Sequence, residues 1–293
     1  VIGLDYRGRR EGAVVEVLER NTETVVGRFS EEHSACFVIP DNKRINQDIM
    51  VPPEGCGEAQ AGQIVIVELI EQPGAHSRPL GRIKEVLGEH MAPGMEIRIA
   101  IASHGIPVEW PEAVLEEAHC YGETVPESVS QGRWDLRGTA LVTIDGITAR
   151  DFDDAVYCER RGANWRVLVA IADVSAYVRP GMALDQEARK RGNAVYFPDR
   201  AIPMLPEALS NGLCSLNPQV DRLCMVCDMH VSSSGDIEKY RFYPSVMHSQ
   251  ARLTYTQVAA MLAEPDGELA ESNAIIVPHL QHLYALFQKL LKA

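Results

Sequence analysis

The 293-residue chain lacks any long apolar run: stretches such as Val167–Ala172 end after six residues, far short of the ~18–20 that a membrane-spanning helix requires. A membrane protein is therefore not expected. The chain also lacks a charged start leading into an apolar segment, since it opens Val-Ile-Gly-Leu-Asp-Tyr-Arg, so no secretory leader is expected and a cytoplasmic setting follows by elimination. Disulfide-framework spacing is missing too. The seven cysteines (36, 56, 120, 158, 214, 224 and 227) are odd in number and scattered, which suits a reducing compartment in a chain large enough to bury a core unaided. There is no Gly-rich phosphate loop, no His-x-x-x-His pair and no internal repeat, and the nine histidines offer no partner for a Ser or Cys nucleophile.

What is present has the balance of a soluble globular chain, 46% apolar and 24% charged, and its length suggests about two domains. The start at Val1 and the end within a helical apolar stripe of Leu280, Leu283, Tyr284, Phe287, Leu290 and Leu291 point to a fragment. Basic residues are in deficit, 28 against 41 acidic, for a net charge of −13, which on its face argues against a nucleic-acid partner. The placement of the charges points the other way. Residues 135–293 hold 16 basic and 19 acidic residues, and four of the acids sit together at 145, 151, 153 and 154. Neutralised by a divalent metal, they would leave the rest of that segment at +1.

Residues 8–88 read as short β-rich runs, Ala13–Leu18, Thr24–Phe29, Cys36–Ile39, Ile49–Val51, Ile64–Leu69 and Gly81–Leu87, separated by Gly, Pro, Asn and Asp. That pattern suggests a small Greek-key barrel of the oligonucleotide-binding kind, with any small β-barrel or sandwich as the alternative. Residues 89–125 read as a connector with one short helix over Glu112–Cys120, entered at Pro111 and closed near Gly122. The run 126–132 looks like a linker, which places the main boundary near 125. Beyond it, strands over 141–144, 154–158, 165–172, 223–231 and 240–246 mix with helices over 184–191, 256–263 and 278–292, an α+β grammar.

The strongest chemical signal is Thr143-Ile144-Asp145-Gly146-Ile147-Thr148-Ala149-Arg150-Asp151-Phe152-Asp153-Asp154. Four carboxylates so close repel one another, so such a cluster is either solvated or assembled around a cation. Flanking Val142, Ile144, Phe152, Ala155 and Val156 weigh against full solvation. Oxygen ligands without a nearby His or Cys point to Mg²⁺ or Mn²⁺ rather than zinc. An EF-hand is excluded on spacing, because counting from Asp151 puts Val156 and Gly162 where Gly and Glu are required, and counting from Asp145 does no better. In an extended stretch Asp151 and Asp153 would share one face and Asp154 the other, so a bend or two metals must reconcile them. Two ions about 4 Å apart are a familiar arrangement for phosphodiester hydrolysis. The Cys224-x-x-Cys227 pair lies in an apolar strand that sends its members to opposite faces, and reads as structural. Arg7, Arg9 and Arg10 could contact phosphate, although arginines beside an exposed terminus are usually solvated, and Trp165, Tyr177 and Asp173 read as packing or orienting residues.

The Asp145–Asp154 segment is followed in order by Val169–Ser175, Asn193–Pro198, Ile202–Glu207, Ser210–Pro218 and Ala251-Arg252-Leu253-Thr254-Tyr255. That succession resembles the catalytic domain of the ribonuclease II superfamily, and in its details, such as Ile171–Pro180 and Arg7–Gly12, the bacterial ribonuclease R branch. The resemblance covers essentially the whole chain. It implies a multidomain fold, an all-β OB/cold-shock-type barrel at 8–88 (the second of two, with 1–7 a remnant of the first) followed after the 89–125 connector by an α+β catalytic domain at 126–293. It further implies processive, Mg²⁺-dependent 3′ to 5′ hydrolysis of RNA to nucleoside 5′-monophosphates in RNA degradation and quality control. The substrates implied are single-stranded RNA or structured RNA with a 3′ single-stranded tail. Matched position by position, Asp145, Asp151, Asp153 and Asp154 are the metal-site aspartates, with Asp153 the one tied most closely to cleavage. Tyr196 matches the aromatic that stacks on 3′-terminal nucleotides, and Tyr255 the tyrosine near the sugar that favours RNA over DNA. A glutamate, a second stacking aromatic, an arginine-rich motif and an S1 barrel of the family would lie beyond Ala293, so weak or absent cleavage by this chain alone is expected. An RNA-binding regulator on the same scaffold is the alternative, opposed by the intact set of four repelling carboxylates.

Overall fold

A computed structural model describes residues 3–4, 6–12, 18, 21–33, 35–74 and 77–292, and the chain divides into two compact units, Val1–Val108 and Glu109–Ala293. In the first, a hairpin pairs β1 (Gly3–Leu4) with β2 (Arg10–Glu11) across the 7/8 boundary drawn from sequence. Five of the expected strands are present as β3 (Thr24–Glu32), β4 (Ala35–Pro40), β5 (Ile49–Val51), β6 (Gln63–Glu71) and β7 (Leu80–Glu89). The strand expected over Ala13–Leu18 falls on 13–17, outside the described residues. β3 to β7 close into a barrel in the order β3-β4-β5-β7-β6, with one parallel pairing at Met50 and Leu80.

The barrel follows from β-branched residues at alternating positions, which send Val25, Val38, Ile49, Val51, Val65 and Val67 inward around Phe29. Closure brings backbones close together at Gly27, where a Cβ would collide with the Ile39 carbonyl, so only glycine fits. Helix α1 (Met95–Ser103) sets Met95 among Val26, Ile64 and Leu87.

The second unit begins with α2 (Glu112–His119), which buries Val114 and Ala118 with Tyr177, Leu184, Leu209 and Leu213. The helix expected in the connector thus packs within this unit, as the divide at 108/109 places it. After a short α3 (Glu127–Ser130), a seven-stranded sheet forms from β8 (Trp134–Leu136), β9 (Val142–Asp145), β10 (Asp154–Arg161), β11 (Asn164–Ala172), β14 (Asp221–Val231), β15 (Ile237–His248) and β16 (Ala251–Thr254). Their spatial order is β16-β9-β10-β11-β14-β15-β8, antiparallel except for the parallel edge pairs β16–β9 and β15–β8. Between β11 and β14 lie α4 (Ala183–Arg191), ended by Gly192 at φ +78°, and the hairpin β12 (Val195–Tyr196) and β13 (Ala201–Ile202). Glu117 of α2 accepts the amides of Ala183 and Leu184, satisfying two of the free N–H groups at the start of α4.

Alternation sorts the sheet into two apolar faces. Leu168, Ala170, Cys224, Val226 and Tyr243 pack on one side with Leu141 and Phe152. Trp165, Val167, Cys158 and Val231 point to the other, where Leu286 of α7 (Val277–Leu290) covers them. Val142, Leu253, Val277 and Leu280 continue that layer with Met261 of α5 (Tyr255–Ala263) and Ala270 of α6 (Glu268–Glu271). Trp165 and Tyr177 are fully buried packing residues, and Cys224 and Cys227 lie on opposite faces with Cys224 in the core. None of the described helices is long and apolar enough to cross a membrane.

A candidate aspartate site at the end of the sheet

Asp145 ends β9 and Asp154 begins β10, so the loop 146–153 joins two neighbouring strands at one end of the sheet. Asp151 and Asp153 lie in the loop, outside any assigned strand, and Asp154 is the first residue of β10. Its backbone is tied from behind. The Phe152 amide donates to Ser215 Oγ at 3.0 Å, the Leu216 amide donates to the Phe152 carbonyl at 2.8 Å, and the Ala172 amide holds the Asp153 carbonyl at 2.9 Å. The buried Arg222 side chain in turn donates through Nε to the carbonyls of Gly212 and Ser215, at 3.0 and 2.9 Å. The Ser210–Pro218 stretch is thus the mould against which the aspartate loop is cast.

The four carboxylates lie within one another's electrostatic reach. Burial, then the charges of Asp154 and Asp151, push the Asp145 carboxyl up from its ordinary value, with Arg252 opposing. Burial, then Asp151, Asp154 and Asp145, push Asp153 up as well. Asp145 Oδ2 is buried and has no hydrogen-bond partner, a costly arrangement for a carboxylate oxygen. Asp151 is engaged instead: the Tyr196 hydroxyl donates to its Oδ2 at 2.8 Å, and that bond, with partial burial, pushes the phenol up to about 12. Among the described residues no three His, Cys, Asp or Glu groups converge on one point closely enough to enclose a metal. The donor set, hard oxygens with one buried and unpartnered, nonetheless fits Mg²⁺ or Mn²⁺.

Of the two tyrosines expected at the site, Tyr196 touches an aspartate. Tyr196, on β12, is 67% exposed, and Tyr255, 65% exposed, opens α5 directly after Thr254, which lies beside Asp145 in the parallel β16–β9 register. Thr254 fixes that turn as a capping box, its Oγ accepting the Gln257 amide while Gln257 accepts the Thr254 amide. Asp173 orients local structure rather than the aspartates: it accepts Arg133 at 2.7 Å and Ser175 at 2.6 Å. Sequence reasoning misses Arg252 and Ser215. Both lie inside motifs visible in the sequence, but only the long-range pairings reveal what they touch.

The family model described as the RNB domain matches residues 133–293, more than half of the chain, and the cold-shock domain model matches residues 37–111. The chain belongs to the RNB-domain family, the ribonuclease II superfamily. Within it the likeness is to ribonuclease R. The chain is 54% identical over 288 residues to ribonuclease R of Vibrio parahaemolyticus (serotype O3:K6), covering 98% of this chain and 34% of that protein. To ribonuclease R of Acidithiobacillus ferrooxidans it is 52% identical over 295 residues, covering 100% of this chain and 67% of that protein. The structure of Mycoplasma genitalium RNase R in complex with double-stranded RNA superposes with a TM-score of 0.85 at 26% identity, over 99% of this chain and 50% of that one. The chain therefore spans about a third of the length of the Vibrio relative and half of the Mycoplasma one.

Proposed function

We propose that this chain carries the aspartate centre of a processive 3′ to 5′ exoribonuclease that hydrolyses RNA to nucleoside 5′-monophosphates in cytoplasmic RNA degradation and quality control. The observation that carries this reading is Asp145 Oδ2, buried and unpartnered within the field of Asp151, Asp153 and Asp154. A protein gains nothing from such a group unless a cation completes it. Asp145, Asp151 and Asp154 would hold Mg²⁺ or Mn²⁺, with Asp153 beside them. Bound there, two such ions would supply Lewis-acid stabilisation of the attacking and leaving oxygens of the phosphodiester.

The chain's own residues hold the RNA end. Exposed Tyr196 offers a stacking face for a 3′-terminal base, and exposed Tyr255, by the family resemblance, serves the ribose edge that distinguishes RNA from DNA. The substrates that fit are single-stranded RNA and structured RNA with a single-stranded 3′ tail. The Mycoplasma relative's complex with double-stranded RNA supports RNA as the partner. The barrel, over 8–88, serves as a second nucleic-acid-binding module of cold-shock type, and 126–293 as the catalytic part.

The test is a denaturing gel of 5′-labelled single-stranded RNA with and without Mg²⁺, beside a native gel for binding. In a longer protein carrying the family's remaining elements, Mg²⁺-dependent shortening from the 3′ end, abolished by Asp153→Asn with RNA binding retained, is the expected result. Near-normal turnover by that variant would remove Asp153 from its role. Binding without any shortening, in a longer protein carrying the family's remaining elements, would favour an RNA-binding regulator instead.

A further inference from the structure

We propose that Arg252 is a positioning residue for the aspartate site, its planar guanidinium bracing the loop between Asp145 and Asp153; the inference rests on the metal-dependent reading above. The parallel register of β16 and β9 sets Arg252 beside Thr143 and Thr254 beside Asp145. Val142 and Leu253 face the α7 side of the sheet, so Thr143, Asp145 and Arg252 share the opposite side with Leu141.

From there the Arg252 side chain reaches two parts of the loop at once. Its Nη2 donates to the Ala149 carbonyl at 2.9 Å, and its guanidinium carbon lies 4.6 Å from the centre of the Phe152 ring. Phe152 is 1% exposed and fixed through Ser215 and Leu216, so it is an immobile platform. Arg252 therefore couples the outer part of the loop to its buried anchor, and its charge also acts on Asp145. Donating in the plane while stacking through the face is open to a guanidinium and closed to an ammonium.

Charge and positioning make opposite forecasts. A cation beside an anionic site repels a divalent ion, so its removal would tighten metal binding. Loss of an outer contact that orients ligands weakens it, typically by ~10–100-fold. Mn²⁺ binding to the 293-residue chain without RNA, followed by the electron paramagnetic resonance of free Mn²⁺, separates them. Arg252→Ala is expected to bind Mn²⁺ at least ~10-fold more weakly than the parent, with Arg252→Lys in between. Parent-like or tighter binding by Arg252→Ala overturns the proposal. If Arg252→Ala fails to fold by circular dichroism, Arg252→Lys decides: weaker binding supports the brace and parent-like binding overturns it. A parent that binds no Mn²⁺, or an Asp145→Asn variant that binds it equally well, would sink the metal reading itself and Arg252 with it.

Discussion

The Tyr196 hydroxyl donates to Asp151 Oδ2 at 2.8 Å, so one exposed side chain joins the aromatic face proposed to stack on RNA to the orientation of a carboxylate. The two jobs are separable by substitution. Tyr196→Phe keeps the ring and loses the bond: RNA affinity should stay within about twofold, while the Mg²⁺ concentration for half-maximal turnover rises by ~10-fold. Tyr196→Ala should also lose RNA affinity, by the ~1–3 kcal/mol of one stacked base. Filter binding and a Mg²⁺ titration of turnover read the two effects independently, and equal losses of RNA affinity in both variants would refute the division.

Asp145→Asn removes one of four mutually repelling charges and gives the buried Oδ2 position a neutral group. In EDTA the variant should melt higher than the parent by ~2–4 °C, about 1 kcal/mol for a unit of this size. It should also bind Mn²⁺ far more weakly. A gain in stability paired with a loss of metal is the signature of a group kept for its ligand, and a destabilised variant would contradict it.

Asp228 provides the pH dependence. Burial would push its carboxyl up, yet Arg166 and Arg241 donate to it, with the Tyr243 hydroxyl, and hold it down at about 2. A carboxyl held below its unfolded value stabilises the fold above that value, near 4, and the contribution fades as pH falls from about 4 to about 2. Asp228→Asn should cost about 2 kcal/mol at pH 7, and the gap between parent and variant in urea melts should close over that acid window. A gap that stays constant down to pH 2 would mean that the ion pairs contribute nothing.

Ser215→Ala leaves the buried Phe152 amide without its acceptor. The expected cost is ~1–3 kcal/mol in stability, accompanied by weaker Mn²⁺ binding because the loop loses its rear support. Thermal melts and the same Mn²⁺ titration check both, and full metal affinity in a destabilised variant would show that the mould does not shape the site.

Much of this is legible in local sequence. The barrel strands from Thr24 to Glu89 announce themselves by β-branched alternation between turn residues, and α4 by a periodic run that ends at Gly192. The four aspartates stand out in their motif, while Tyr196 and Tyr255 are singled out only by the family resemblance. What escapes depends on pairing between distant segments. Nothing in Ala251–Thr254 or Trp134–Leu136 tells which strand each will lie against, and both make parallel edge pairs. Arg252 is invisible as a site residue until β16 meets β9. Carboxylate spacing along the chain likewise says nothing of the tyrosine that donates to Asp151.

The parallel pairing of β16 with β9 also imposes an order in time. Arg252 closes on Ala149 across 103 positions of chain, so the loop emerges from the ribosome long before its brace does. At the usual ~5–20 residues per second, that interval is roughly 5–20 s. During it, the strand ending in Asp145 has an open edge where β16 will sit, and the four negative charges have no arginine from that strand beside them. A nascent chain paused within this stretch would hold the acidic loop complete in sequence yet without the arginine that reaches Ala149 and Phe152.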